Sequence, residues 1–397
     1  MMSPRFYYGD APPDIRQSAR MTEHSLSRQD AVDFTAMPET AVQHSYTTIV
    51  AGAGPAGVMA ALHAAAVGPV LLVEAQRLPR DKSCGGMLNA YSQEFVSEFG
   101  TIPESAVLEP KWVNFRYHDW DRNILKPTQL RFLNVDRRGF DDWLVSLLPD
   151  NVTVLGTTRV ASFQQDADEV RVVLKSDGGE QTVSCANLVG ADGPRSSVRR
   201  QLGIGGVATY GTLQDFCKIE GDVEPYFDCI YMRDLGDSFG YSYVVPKGDL
   251  AIVGSVFYPG TKRPHEKHDR ALSALRRKLP LGESVKREAW VALSVRKAKD
   301  VVPGLGRVLL AGEAGGFMSP SSGEGISYAL NTGRLAGNAI AGAPGIGALS
   351  AYELATNHIS NNIARKLKWL PFMESRAGKY LAGFVPTPIV SYVTKGL

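Results

Sequence analysis

Gly52-Ala53-Gly54-Pro55-Ala56-Gly57 places G-x-G-x-x-G directly after the apolar run Thr48-Ile49-Val50-Ala51 and opens an Ala-rich stretch of helical character. In such a loop Gly52 makes the tight turn, Gly54 lets backbone N–H groups approach a pyrophosphate, and Gly57 lets helix and strand pack closely. The positive end of the helix, with Ala56 in its first turn, then faces the phosphates. Glu74 ends the next apolar run 17 residues after Gly57. An acid there accepts hydrogen bonds from both hydroxyls of a ribose and disfavours a 2′-phosphate. Strand, turn, helix, strand and acid in this order predict a dinucleotide site, and Ala75 and Val160 are counted among its lining residues.

The elements that must position this loop are legible in outline. From Ile49 to Val73 there are 25 residues without Asp, Glu, Lys or Arg, long enough to span a bilayer. Gly52, Gly54, Pro55, Gly57, Gly68 and Pro69 break the run into a βαβ unit instead. Helices are predicted over 90–99 and over 136–148, the latter opened by an Asp136 cap with Phe140, Trp143, Leu144 and Leu147 at helical spacing. Residues 107–135 and 205–300 read as aromatic-rich strands in an antiparallel sheet, interrupted by a helix near 269–279. Short strands are read at 152–155, 160–163, 170–174 and 181–183, and the last third returns to α/β, with a strand at 307–311 and a helix from about Gly325. Residues 1–45 show no hydrophobic period and read as a loosely ordered extension.

Two later stretches, Leu188-Val189-Gly190-Ala191-Asp192-Gly193-Pro194-Arg195-Ser196 and Gly312-Glu313-Ala314-Gly315-Gly316, are spaced as in the two-domain flavoprotein monooxygenase and reductase superfamily, which the chain resembles. Within it, Lys82-Ser83-Cys84-Gly85-Gly86-Met87-Leu88, Asp136-Arg137-Arg138-Gly139-Phe140-Asp141, Tyr241-Ser242-Tyr243-Val244-Val245-Pro246-Lys247 and Met318-Ser319-Pro320-Ser321-Ser322-Gly323-Glu324-Gly325-Ile326 look like the signatures of the geranylgeranyl reductase family. The likeness covers roughly residues 47–330. It implies an α/β fold: a Rossmann-like FAD-binding domain assembled from 46–106, 136–204 and 296–345, a second, antiparallel-β substrate domain from 107–135 and 205–295, and a helical C-terminus over 346–397. It further implies that Asp192 and Gly193 shape the second dinucleotide loop, that the acid following Gly312 bonds the ribityl hydroxyls, that Arg137 reaches back to FAD, and that Cys84 and Gly85 lie beside the flavin. Gly323, Gly325 and Ile326 would present backbone N–H groups to the flavin edge that becomes anionic on reduction.

Departures from the family pattern are Glu313 for Asp, Tyr243 for Trp and Val245 for Phe. Period two puts Tyr241, Tyr243 and Val245 on one strand face, which is either a pocket wall or sheet core. Cys84 reads either as a flavin-side thiol or as a small buried hydrophobe. Cys84, Tyr241 and Tyr243 are the candidate proton donors.

Lys and Arg number 43 against 41 Asp and Glu, a net charge of +2, too even for a surface that grips nucleic acid throughout. Four cysteines without C-x-x-C spacing fit neither a disulfide framework nor a zinc site, which makes a cytoplasmic setting the expectation. His265 and His268 fall with Glu266 in a charged run read as surface, no metal site is expected, and no Ser-His-Asp order emerges. The segment 358–397 carries six Lys or Arg against Glu374 alone, interleaved with Trp369, Phe372, Tyr380, Phe384 and Tyr392. It suits either the headgroup layer of an anionic membrane, as a peripheral contact, or a cap on the substrate domain. The implied activity is an FAD-dependent reduction of C=C bonds in an isoprenoid or similarly lipid-like substrate, with NAD(P)H or a ferredoxin-like carrier as external reductant. Hydroxylation, halogenation and non-catalytic flavin or lipid binding are the alternatives. Halogenases of the superfamily would show Trp-x-Trp-x-Ile-Pro where Tyr241 to Pro246 stand.

Overall fold

The uncharged run folds as the βαβ unit that its glycines predict: β1 (Ser45–Ala51), α1 (Pro55–Ala64) and β2 (Val70–Val73), with the two strands parallel. Alternate residues feed opposite faces of the sheet. Val50 and Leu72 join one apolar cluster and Ile49 and Leu71 another, all fully buried, which is why the run is apolar without a break. The computed structural model describes residues 43–235, 239–382, 384–386 and 388. The extension read over 1–45 thus lies, except for its last three positions, outside the described residues, as do Tyr392 and Lys395.

β1 sits inside a sheet of order β15 (Gly304–Leu305), β16 (Val308–Leu310), β9 (Gly179–Gly190), β1, β2, β6 (Val152–Leu155), parallel from β16 to β6. β7 (Arg159–Gln165) and β8 (Val170–Ser176) extend it as antiparallel strands from the first half of β9. The second sheet has the order β14 (Leu281–Leu293), β10 (Thr209–Ile219), β13 (Leu250–Phe257), β12 (Phe239–Lys247), β11 (Tyr226–Tyr231), β4 (Val107–Asp119), β5 (Ile124–Val135), β3 (Met87–Leu88). The antiparallel expectation needs one correction, because β11 and β4 run parallel, with Phe227 opposite Phe115. Between β5 and β10 the chain passes through the first sheet, and so long a connection is free of the hairpin geometry that makes neighbours antiparallel.

The helices are α2 (Ala90–Ser97), α3 (Arg137–Ser146), α4 (Ser197–Gln201), α5 (Pro264–Arg276), α6 (Ile326–Gly342), α7 (Gly347–Glu374) and α8 (Arg376–Ala382). Asp136 caps α3 as expected, its carboxylate accepting from the Gly139 N–H at 2.8 Å. α5 begins earlier than its predicted span, at Pro264, and this corrects the reading of His268 as a surface residue. His268, Ala271, Leu272 and Leu275 recur at i, i+3, i+4 and i+7 and face the second sheet, with His268 at 0% exposure. Its Nε2 lies 2.6 Å from Asp215 Oδ2 and its Nδ1 2.8 Å from Ser255 Oγ. The fold therefore assembles a Ser–His–Asp contact that no sequence spacing announces. It is sealed beneath α5, where it fastens helix to sheet.

α1 packs against β1 and α6 through backbone rather than side chains. A Cβ on Gly57 would run into the Gly52 carbonyl, and one on Gly333 of α6 into the Ala56 carbonyl. Gly333→Val should therefore cost about 1–3 kcal/mol of stability through overpacking. Gly342→Ala on the same helix, where an added methyl meets nothing within 4 Å, should be neutral or slightly stabilising. Urea unfolding of the two variants beside the parent checks both.

Candidate active site

A cleft of about 1560 Å³ opens at the C-terminal ends of β1, β2 and β9 and continues along the second sheet. That exceeds the roughly 300–1,000 Å³ of an ordinary small-molecule site, leaving room for a dinucleotide and a second molecule. Gly52, Gly54, Ala56, Glu74, Ala75, Val160, Asp192 and Gly193 line one end. Cys84, Gly85, Arg137, Gly312, Glu313, Gly323, Gly325, Ile326, Tyr241 and Tyr243 line the remainder. Gly57 alone of the predicted set does not, because its role is the close packing of α1 on the glycine turn. Val245 is also absent: it is buried between Val113 and Ile252, so the strand face is pocket wall at Tyr241 and Tyr243 and core beyond them.

At the phosphate end α1 has no side-chain cap and no acidic residue in its first turn, so its positive end meets the cleft uncompensated. Glu74 holds the loop from behind. Its Oε2 accepts from the Ala53 N–H and its Oε1 from the Gln76 N–H, both at 3.0 Å, while Arg80 Nε lies 3.4 Å from Oε2. Asp192 Oδ2 accepts from the Ser197 and Val198 N–H groups at 2.7 and 3.2 Å. Its Oδ1 is a buried acceptor with no partner, the kind of group a polyhydroxylated ligand satisfies. An uncapped helix end, an unsatisfied acceptor and a cleft of this size fit FAD.

The middle of the cleft carries a buried charge network. Arg137 reaches Asp141 Oδ1 at 3.0 and 3.1 Å and lies close enough to Cys84 to act on its charge. Burial alone would push that thiol up, but the Arg137 guanidinium, the Gly86 N–H and Lys82 together hold it below the usual thiol value. Burial drives Glu313 upward against the pull of Lys82, and drives Lys82, seated 4.4 Å from the centre of the Trp290 ring, downward. Lys247 donates to the Val135 and Gly86 carbonyls at 3.0 and 3.3 Å and is lowered by burial to about 7. It pins the Cys84–Gly86 turn to the end of β5.

The second sheet supplies an aromatic wall, with Phe227 and Tyr243 ring centres 5.5 Å apart and Tyr241 and Tyr243 6.3 Å apart. Gly254 on β13 makes room for Tyr243, since a Cβ there would enter the phenol ring. Gln214, 2% exposed, joins the wall to the Cys84 loop: its amide N–H donates to the Tyr243 hydroxyl oxygen, and its amide oxygen accepts from Ser83, the neighbour of Cys84. Burial holds the Tyr243 phenol well above its ordinary value, against the Gln214 bond that lowers it.

The sequence reading missed Arg80, Lys82, Gln214, Lys247 and Trp290 as site residues. Gln214 carries a weak signal, a polar side chain in register with Tyr210 and Thr212, which also line the cleft. Among the described residues no group of His, Cys, Asp or Glu is placed to hold a metal ion.

Comparison with known proteins places this cleft. Residues 146–343 match the family model described as an FAD binding domain. Protein CbrA of Escherichia coli is 30% identical over 261 residues, which are 64% of this chain and 69% of CbrA. A geranylgeranyl bacteriochlorophyll reductase-like protein from Thermoplasma acidophilum superposes with a TM-score of 0.66 at 19% identity, over 89% of this chain and 92% of the other. The flavin-dependent brominase Bmp2 superposes with a TM-score of 0.70 at 18% identity, over 88% and 93%. At such identities the two structures share the fold. The chain therefore belongs to the family of protein CbrA, and its residues 146–343 carry an FAD binding domain.

Proposed function

We propose that this flavin-dependent oxidoreductase saturates C=C bonds of an isoprenoid or similarly lipid-like substrate, the reduced flavin supplying a hydride to one carbon and a cleft side chain a proton to the other. NAD(P)H or a ferredoxin-like carrier would return the two electrons. The observation that carries this reading is the Ser83–Gln214–Tyr243 chain, which ties a buried phenol in an aromatic wall to the flavin-side loop. Because the Tyr243 oxygen accepts from Gln214, its own O–H is left to point elsewhere, and its raised pKa keeps the proton in place across the neutral range. Cys84 is the poorer donor, since its surroundings favour the thiolate. Phe115, Phe132, Phe227 and Tyr241 offer the chain of such a substrate apolar contact and exclude water.

Oxygen chemistry is the second reading, supported by the fold shared with the brominase. One experiment separates the two. The holoprotein, reduced without oxygen, should be reoxidised by a prenyl alcohol whose product gains two hydrogens per bond. Reoxidation by air alone, through a long-lived oxygen adduct and with the prenyl alcohol untouched, would favour the second reading.

Further outcomes follow from the side chains. Tyr243→Phe should slow substrate saturation by about 10²-fold or more, the usual worth of a general acid, while the rate of flavin reduction stays as in the parent. No loss of activity between pH 7 and about 10 should trace to Tyr243, because a raised pKa keeps a donor protonated as pH rises. Cys84 should be the cysteine most readily alkylated by iodoacetamide at pH 7, since Cys185 and Cys229 are pushed up to about 12 by burial. Arg137→Met should move the midpoint of that alkylation to higher pH, read by mass spectrometry of the labelled peptide.

A further inference from the structure

The exposed large aromatics of the described residues all fall between 369 and 384: Trp369 at 64%, Phe372 at 48%, Tyr380 at 48% and Phe384 at 60%. Leu381 of the same segment is exposed as well. Single exposed apolar side chains need no explanation, whereas a contiguous set marks a contact surface. Arg365, Lys368, Trp369 and Phe372 recur at i, i+3, i+4 and i+7 of α7 and are all exposed, so cations and aromatics share one helix face.

This face is held in place. The Tyr117 hydroxyl donates to the Lys379 carbonyl at 2.8 Å, Arg122 donates to the Tyr380 carbonyl at 2.8 Å and stacks 3.7 Å from the Tyr380 ring centre, and Lys126 donates to the Val385 carbonyl. The same segment lines the mouth of the cleft, Trp369 and Phe372 with their exposed rings as well as Leu370, Met373, Gly378 and Lys379. The aromatic face is thus the outer rim of the cleft mouth. Glu374, the acid of the segment, is half-buried and paired with Arg296, so it does not offset the exposed cations.

We infer that this rim docks on the headgroup layer of an anionic lipid bilayer, with Trp369, Phe372, Tyr380 and Phe384 entering the interface and Arg365 and Lys368 meeting the lipid charges. Amphipathic rings beside cations suit that layer. A second copy of the chain is disfavoured as the occupant, because pairing this face with itself would set like charges against each other. Among the described residues no helix is long and apolar enough to cross a membrane, so the contact is peripheral. The inference rests on the surface and not on the proposed reaction, although it would open the cleft where a lipid-like substrate is dissolved.

The test is co-sedimentation of the full-length holoprotein with phosphatidylcholine vesicles that contain, or lack, about 30% phosphatidylglycerol, a charge density at which each surface cation contributes measurably. Binding should require the anionic lipid and fall steeply in about 0.5 M NaCl, where the surface field reaches only a few ångströms. Arg365→Glu with Lys368→Glu, neither of which lines the cleft, should weaken binding by about tenfold or more. Phe384→Ser should weaken it without the salt dependence changing, and all variants should keep the parent's FAD content. Equal binding to both vesicle types, no binding to either, or a concentration-dependent dimer abolished by the same charge reversal would overturn the inference. Turnover of a short water-soluble prenyl alcohol without vesicles keeps the two proposals apart. Its loss in the parent counts against the reaction alone, and its retention with no vesicle binding counts against the docking alone.

Discussion

The approach of α1 to its neighbours without intervening side chains is the constraint on which the rest of the structure depends. Gly57 lets the helix settle on the Gly52 turn, and Gly333 lets α6 settle on Ala56. The reward of that packing is electrostatic. The helix starts on Gly54, which has no side chain to cap it, so its N–H groups and its positive end remain directed at the cleft. Glu74, tied to Ala53 and Gln76, then fixes the loop in the one shape that keeps this opening.

From this anchor the cleft changes character along its length. Near the glycine loop it is polar and ionic, and in the middle Arg137, Asp141, Lys82, Glu313 and Cys84 share a network in which burial and pairing oppose one another. A buried charge is tolerated only when partnered, and Asp141, bonded by both Arg137 and Arg80, meets that condition, while Arg137 and Lys82 leave the thiol under positive influence. Farther along, the second sheet replaces charge by aromatic surface. The boundary between the two regimes is the Ser83–Gln214–Tyr243 chain, where a single amide satisfies a hydroxyl from each side. A site so divided can hold a charged, polyhydroxylated cofactor at one end and an apolar substrate at the other, with the Tyr243 hydroxyl where the two meet.

What the sequence made legible was local. The βαβ unit, the Asp136 cap and the third-glycine packing at Gly57 all follow from residues within one turn or loop of each other. Most of the residues that line the cleft were readable because motif glycines and acids recur at recognisable spacing. Contacts between distant segments were not readable. Gln214 meets Ser83 across 131 positions, Lys247 meets Val135 across 112, and neither pairing leaves a trace in periodicity. His268 was misjudged because charged neighbours masked a helical face whose period starts at Pro264. The parallel pairing of β11 with β4 depends on the path of a long connection, which no local pattern records.

The most direct test of the account is isotopic. A prenyl alcohol turned over by the holoprotein in D₂O, with little oxygen, should yield product carrying deuterium at each saturated bond, one from the side-chain proton donor and a second to the extent that the N–H of the reduced flavin exchanges with solvent before hydride transfer. Tyr243→Phe should form this product more slowly with the same labelling. A product that carries an oxygen atom from O₂, or one with no deuterium at the reduced bond, would contradict it.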